Sequence, residues 1–341
     1  MSPSTASELV LVTGTSGFLG TEVTLKFLQA GYRVRGTVRS QDKADAWEKK
    51  HGNFGGKLEW ALVKDVAAPG AFDEAIKGVT LLAHTASPFH YDVKDNEKDM
   101  LIPALEGTRH ALRAAQNEPS VKRVVVTSSF AAVLDFDRMS PETTFSEKDW
   151  NPATYESAAK MEGNEAYVYC ASKKVAEEEA WKIAKEEKTK WKLTTICPPM
   201  ITGPPPQVLT SLNSLNTSTS ALWAVVDAKE IPDTTFPVWT DVRDIAELHV
   251  LAVTKDIAAS KRYLTVAGHY DNSQVADLAR KAFPEQASRI PQPKEVKNDF
   301  GDLFKTDSSL VQKELGVKWI GFEQTVKDTL SALFKIEKEL K

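Results

Sequence analysis

The sequence predicts an α/β protein built on a doubly wound parallel sheet. Three observations predict it. Short apolar runs alternate with helical patterns from about residue 9 to residue 198. The first run ends in a glycine-punctuated turn that opens a helix. The chain has 341 residues, 42% of them hydrophobic, enough for one large core and a smaller lobe.

The elements follow in order. Leu9 to Val12 is a strand, and the helix after the turn places Leu19, Val23 and Phe27 on one face, with Gly31 where a left-handed C-cap belongs. "YRVRGTVR" is a β-rich second strand and "KLEWALVKD" a third; "GAFDEAIKG" reads as a helix and "VTLLAHTAS" as a strand. "MLIPALEGTRHALRAAQ" is a helix, "VKRVVVTSS" a strand, the segment around Tyr169 a helix and "WKLTTICPP" a strand. Strands separated by helices imply right-handed βαβ crossovers. After Pro198, "PPMITGPPPQVLTSLNSLNTSTS" is too rich in Pro, Ser, Thr and Asn for a regular core element and reads as a mobile loop leading into a second lobe. "FPVWTDVRDIAELHVLAV" resumes sheet and helix. The expected division is a large domain over 8–198, rejoined at about 236–268, and a smaller lobe from 199–235 and 269–341.

Composition excludes several classes. Lys plus Arg number 43 against 47 Asp plus Glu, a formal charge of −4 with no basic stripe, which argues against nucleic acid. Two cysteines, Cys170 and Cys197, make no disulfide framework; "MSPSTASELV" has no secretory pattern, and no apolar run reaches the ~20 residues that span a bilayer. A soluble, cytoplasmic protein is expected. The six histidines have no metal-ligand spacing, so no metal is expected.

Gly14, Gly17 and Gly20 in "TGTSGFLG" stand between the first strand and the first helix, where a Rossmann-like dinucleotide site needs a sharp turn, close backbone approach and close helix packing. The spacing is one residue wider than the common form. Ser16, Phe18 and Leu19 lie in the same turn. At the end of the second strand an acid would bind the ribose of NAD and an arginine the 2′-phosphate of NADP. No acid occurs there; Arg39 does, with Lys43 one helical turn later, which favours NADP. Asp65 and Val66, after the third strand, are candidates for the adenine edge.

Tyr169 and Lys173 are four apart on one helix and share a face. A nearby ammonium favours the phenolate over the phenol, so lysine is expected to make tyrosine a usable acid. Tyr-x-x-x-Lys alone is a weak signal. The strand end "RVVVTSSFAAV" strengthens it, because its serines fall at the carboxyl edge where open α/β sheets bind ligands.

Together "LVTGTSGFLG", "VKRVVVTSSFAAV", "DWNPAT", "YCASKKVAEEEAW" and "DVRDIAELH" resemble the extended short-chain dehydrogenase/reductases. More narrowly, they are similar to the dihydroflavonol-reductase-like branch with its fungal NADPH-dependent aldehyde and ketone reductases. The resemblance implies Ser129 as donor to a substrate carbonyl, Tyr169 as general acid, and Lys173 as the group that tunes Tyr169 and holds the nicotinamide ribose. It implies that Thr85, Ala86 and Ser87 run past the cofactor, and that Pro198, Pro199 and Met200 lie against the nicotinamide. Where many relatives carry an asparagine, this chain has Ala104, which puts a proton relay through that position in doubt. Phe89, Phe130 and Trp223 are candidate substrate contacts. The expected function is NADPH-dependent reduction of aldehydes, ketones, diketones or ketoesters by a monomer or homodimer. A non-catalytic NADPH sensor and a sugar-nucleotide epimerase or dehydratase are the alternatives.

Overall fold

A computed structural model describes residues 7–87 and 93–340. Strand β1 (Leu9–Thr13) leads into α1 (Phe18–Gln29), and β2 (Arg33–Val38) into α2 (Gln41–His51) and β3 (Leu58–Leu62). Then come β4 (Leu81–His84), α3 (Ile102–Asn117), β5 (Arg123–Thr127), β6 (Thr144–Phe145), α4 (Tyr155–Ala159), α5 (Glu165–Ala184) and β7 (Lys192–Cys197). The remainder comprises β8 (Met200–Thr202), α6 (Thr217–Trp223), β9 (Val238–Asp241), α7 (Val242–Thr254), β10 (Lys261–Leu264), β11 (Gly268–His269), α8 (Asn272–Ala282), β12 (Lys305–Thr306), α9 (Ser309–Leu315) and α10 (Phe322–Leu340).

Seven strands form one sheet in the order β3-β2-β1-β4-β5-β7-β10, with every neighbouring pair parallel. The chain starts in the middle, winds to one edge, returns and winds to the other. The reversal falls between β1 and β4, and the crevice it opens at their carboxyl ends is where such sheets bind ligands. Both faces of β1 are covered, which explains an apolar run with no polar alternation. Val10 and Val12 pack on one side with Val23 and Phe27 of α1 and Ile245 and Leu248 of α7. Leu9 and Leu11 pack on the other with Leu112 and Ala115 of α3 and Ala180 and Ile183 of α5.

A second, three-stranded sheet orders β11-β9-β8. Its Trp239 joins a separate core with Leu222, Val275, Val326, Leu330 and Leu333 from α6, α8 and α10.

Three expectations need correcting. Residues 70–78 form a string of turns rather than a helix: Gly70 and Gly78 both sit at φ +71°, and bonds such as Asp73 N–H to the Gly70 carbonyl (3.0 Å) close three-residue steps. The apolar spacing there is genuine, since Phe72, Ala75 and Ile76 are buried, but the seven residues between two left-handed glycines are too few to propagate a helix. The Pro/Ser/Thr-rich segment contains β8 and α6, and Ser218 and Thr219 are buried. It is also tied to α2: Lys50 Nζ donates to the Gln207 carbonyl (2.7 Å) and His51 Nε2 to the Pro206 carbonyl (2.9 Å). Helix α9 lies within the stretch assigned to the small lobe, yet Val311 and Leu315 pack into the large core beside Tyr263 of β10. Among the described residues no helix is long and apolar enough to cross a membrane.

Candidate active site

The turn after β1 is set by backbone sterics. Gly14 has φ +72°, and a Cβ there would meet the Ala86 backbone at 3.1 Å. At Gly20 a Cβ would stand 2.1 Å from the Gly14 carbonyl oxygen, so the first turn of α1 packs on the loop only if that side chain is absent. Gly17 occupies the N-cap of α1 with no capping side chain, and the first turn carries no acidic residue. The helix therefore presents free N–H groups and the positive end of its dipole beside a loop pressed against β4.

Thr13 joins the two strands across the crevice. Its Oγ1 accepts from the N–H of Thr85 and of Ala86, each at 3.0 Å, and lies 3.0 Å from His84 Nδ1. With two N–H groups pointing at the oxygen, the hydroxyl proton goes to His84, whose Nδ1 must be the acceptor. Burial keeps that ring neutral, pulling the His84 pKa down to about 4, with the Lys173 charge adding to the shift. Thr85 Oγ1 in turn donates to the Thr13 carbonyl.

The arginines on β2 separate by their partners. Arg35 is committed: Nε donates to Glu59 (2.7 Å), and Nη1 to the Ala75 and Lys77 carbonyls (2.8 and 2.7 Å). Arg33 lies 3.8 Å from the same carboxylate. Arg39, just past the strand end, and Lys43, on the first turn of α2, are exposed. Neither has a carboxylate partner among the described residues, so both are available to an external phosphate. The glycine cradle, the uncapped helix end and these two cations fit NADPH. Asp65 lies three residues beyond the end of β3 rather than on it, and its Oδ1 accepts from the Ala67 N–H (2.9 Å). Val66 touches the helix behind the site, where a Cβ on Gly107 would come within 3.2 Å of it.

Asn164 caps α5, its side chain accepting from the Tyr167 N–H, and the helix carries Tyr169 and Lys173 to the crevice. Lys173 Nζ lies 5.5 Å from the centre of the Tyr169 ring and donates to Ser87 Oγ at 2.5 Å, bridging α5 to the end of β4. Burial lowers the Lys173 pKa to about 8. The neighbouring Tyr167 is engaged elsewhere: its hydroxyl lies 2.9 Å from Ser157 Oγ on α4.

The serines after β5 are chemically distinct. Ser128 is buried and donates to Glu177 Oε2 at 2.6 Å, so its proton is spent. Ser129 is partly exposed and its Oγ accepts from the Ala131 N–H at 3.1 Å, which leaves its own O–H available.

Residues 11–270 match the 3-beta hydroxysteroid dehydrogenase/isomerase family. The chain belongs to that family. It is 36% identical to a Candida albicans protein named "Putative NADPH-dependent methylglyoxal reductase GRP2", covering 96% of this chain and 99% of the relative. It is 33% identical to the NADPH-dependent methylglyoxal reductase of Saccharomyces cerevisiae, covering 96% and 98%. The crystal structure of Gre2 from Candida albicans in complex with NADPH superposes with a TM-score of 0.88 at 32% identity, covering 96% of this chain and 99% of that one.

Within this member of the 3-beta hydroxysteroid dehydrogenase/isomerase family, the expected substrate contacts fare differently from the rest. Phe130 is a correction: it is fully buried among Phe145, Phe236 and Phe304, with ring centres 5.7–5.8 Å away, and has no surface to offer a ligand. Trp223 is half-buried and edge-on to Phe334 of α10 (5.2 Å), a packing contact within the second core. Phe89 lies outside the described residues. Pro198 is buried, its carbonyl accepting from the Phe130 N–H (2.7 Å); Pro199 follows, and Met200 pairs with Trp239. Ala104 is buried on α3. Sequence reasoning missed Thr13, Glu177 and Arg262. Only Glu177 carried a signal, four residues past Lys173 on the same helix face.

Proposed function

We propose that this protein reduces the carbonyl of a small aldehyde, ketone or ketoester to an alcohol with NADPH, using Ser129, Tyr169 and Lys173. The observation that carries the reading is Lys173 bridging Ser87 and the Tyr169 ring on a crevice whose serine Ser129 keeps a free hydroxyl. NADPH, when bound, supplies the hydride. Gly14, Ser16, Gly17, Phe18, Leu19 and Gly20 would hold its pyrophosphate, and Arg39 with Lys43 its 2′-phosphate. Thr85, Ala86, Ser87 and Lys173 would line the ribose side, with Pro198, Pro199 and Met200 beyond.

As the carbonyl carbon is attacked, negative charge gathers on its oxygen. Ser129 donates a hydrogen bond to that oxygen and Tyr169 gives it a proton, so the bond order falls from two to one as the O–H forms. The Lys173 ammonium stabilises the charge left on the Tyr169 oxygen. The smaller lobe, built from the second sheet with α6, α8 and α10, would cover the substrate.

Loss of NADPH absorbance in the presence of a panel of aldehydes, diketones and β-ketoesters tests the proposal. Oxidation with at least one class is expected; a flat response across the panel, with NADPH still bound, would overturn it in favour of a cofactor sensor.

A further inference from the structure

Helix α5 carries a third polar residue in register with Tyr169 and Lys173. Glu177 is eight positions past the tyrosine, 1% exposed, and its carboxylate is saturated. Oε2 accepts from Ser128 Oγ (2.6 Å) and from Arg262 Nη2 (3.1 Å). Oε1 accepts from Thr195 Oγ1 (2.7 Å), Trp181 Nε1 (3.2 Å) and Arg262 Nε (2.8 Å).

Arg262, on edge strand β10, uses the rest of its fork on backbone. Nη1 donates to the Glu147 and Asp149 carbonyls (2.9 and 2.5 Å) and Nη2 to the Ala132 carbonyl (3.2 Å). Its guanidinium stacks 3.8 Å over the Trp150 ring. All five N–H donors are therefore occupied.

These bonds converge on Ser129 from both sides. Ser128 precedes it, and Ala132 closes the 3-10 turn that Ser129 caps. Asn151 reinforces the far side, its N–H reaching the Ala132 carbonyl (2.9 Å) and its Nδ2 the Ala131 carbonyl (3.0 Å). The pair thus clamps the segment bearing Ser129 to the helix bearing Tyr169. A buried ion pair brings little net stability over apolar residues of the same size, so stability alone gives no reason for a doubly charged knot here.

We infer that Glu177 and Arg262 are positioning residues that fix the distance between the Ser129 and Tyr169 hydroxyls. The inference rests on the proposed roles of those two side chains. Misplacing one donor by about an ångström costs on the order of 100-fold in rate.

The test uses Glu177→Gln and Arg262→Lys in the full chain. Each is expected to lower kcat about 10- to 100-fold while KM and NADPH affinity stay close to wild type. In the ligand-free protein, hydrogen exchange across 128–134 should accelerate while exchange in β1 does not change. If Glu177→Gln fails to fold, Arg262→Lys, which keeps the charge and loses the fork, carries the test. Wild-type kcat and wild-type exchange in a folded variant would overturn the inference. So would failure of both variants to fold, because the pair would then hold the fold rather than the site. Tyr169→Phe separates the two levels: an inactive Tyr169→Phe beside fully active pair variants defeats only the clamp, whereas an active Tyr169→Phe defeats the site reading beneath it.

Discussion

The carboxyl edge of the sheet is built in two ways. Between β1 and β4 the surface is backbone: Gly14 and Gly20 let main chain touch main chain, and Thr13 ties the strands through N–H groups. Beyond β5 the edge is side-chain packing, with Phe130, Phe145 and Phe304 meeting at ring-centre distances of 5.5–5.8 Å. The first construction tolerates almost no substitution and leaves residue types at fixed spacing. The second needs only aromatic volume that fills, and many sequences supply it.

Phe130→Ala probes that contrast most strongly. A phenylalanine in a packed aromatic core should cost about 3–5 kcal/mol on truncation, read by chemical denaturation, with substrate KM unchanged. A raised KM without lost stability would return Phe130 to the pocket.

Arg39→Asp probes the backbone-built side at a point that depends on a side chain. NADPH affinity, measured by fluorescence titration, should weaken about 10- to 100-fold, since a charge-assisted bond is worth about 1.5–3 kcal/mol, while NADH affinity changes little. Equal losses for both would remove the 2′-phosphate assignment.

The pH dependence of kcat/KM for NADPH, which reports the ligand-free protein, should decline above the Lys173 value of about 8, approaching about tenfold per unit. Lys173→Arg should move that decline upward, since a guanidinium keeps its proton. Stability should respond oppositely. The folded value of about 8 lies below the ordinary 10.5, so between these the unfolded chain binds the extra proton and Lys173 contributes a stability that rises with pH. The smallest effect is expected for Trp223→Leu, which forfeits an edge-on pair worth about 0.5–1.5 kcal/mol and should leave KM alone.

The same contrast explains what could be read in the chain. The glycine turn, the missing acid near Arg39 and the Tyr169–Lys173 spacing are short-range patterns that backbone geometry imposes, and they located the crevice. The helix expected at 70–78 failed because its apolar period was right and its glycine ends overruled it. The segment after Pro198 was misread because its helix α6 is carried by tertiary contacts with α10 and β8, which local propensity does not register. Residue type and spacing alone do not tell Ser128 from Ser129, and the family resemblance picks the second without a physical reason. Only the carboxylate of Glu177, folded back from 49 residues away, commits one and frees the other.

The central claim is that Tyr169 delivers the proton, and single-turnover reduction by Tyr169→Phe at saturating NADPH tests it most directly. The account predicts a rate about 10²- to 10⁴-fold lower with NADPH affinity intact. A wild-type rate with intact affinity would contradict it.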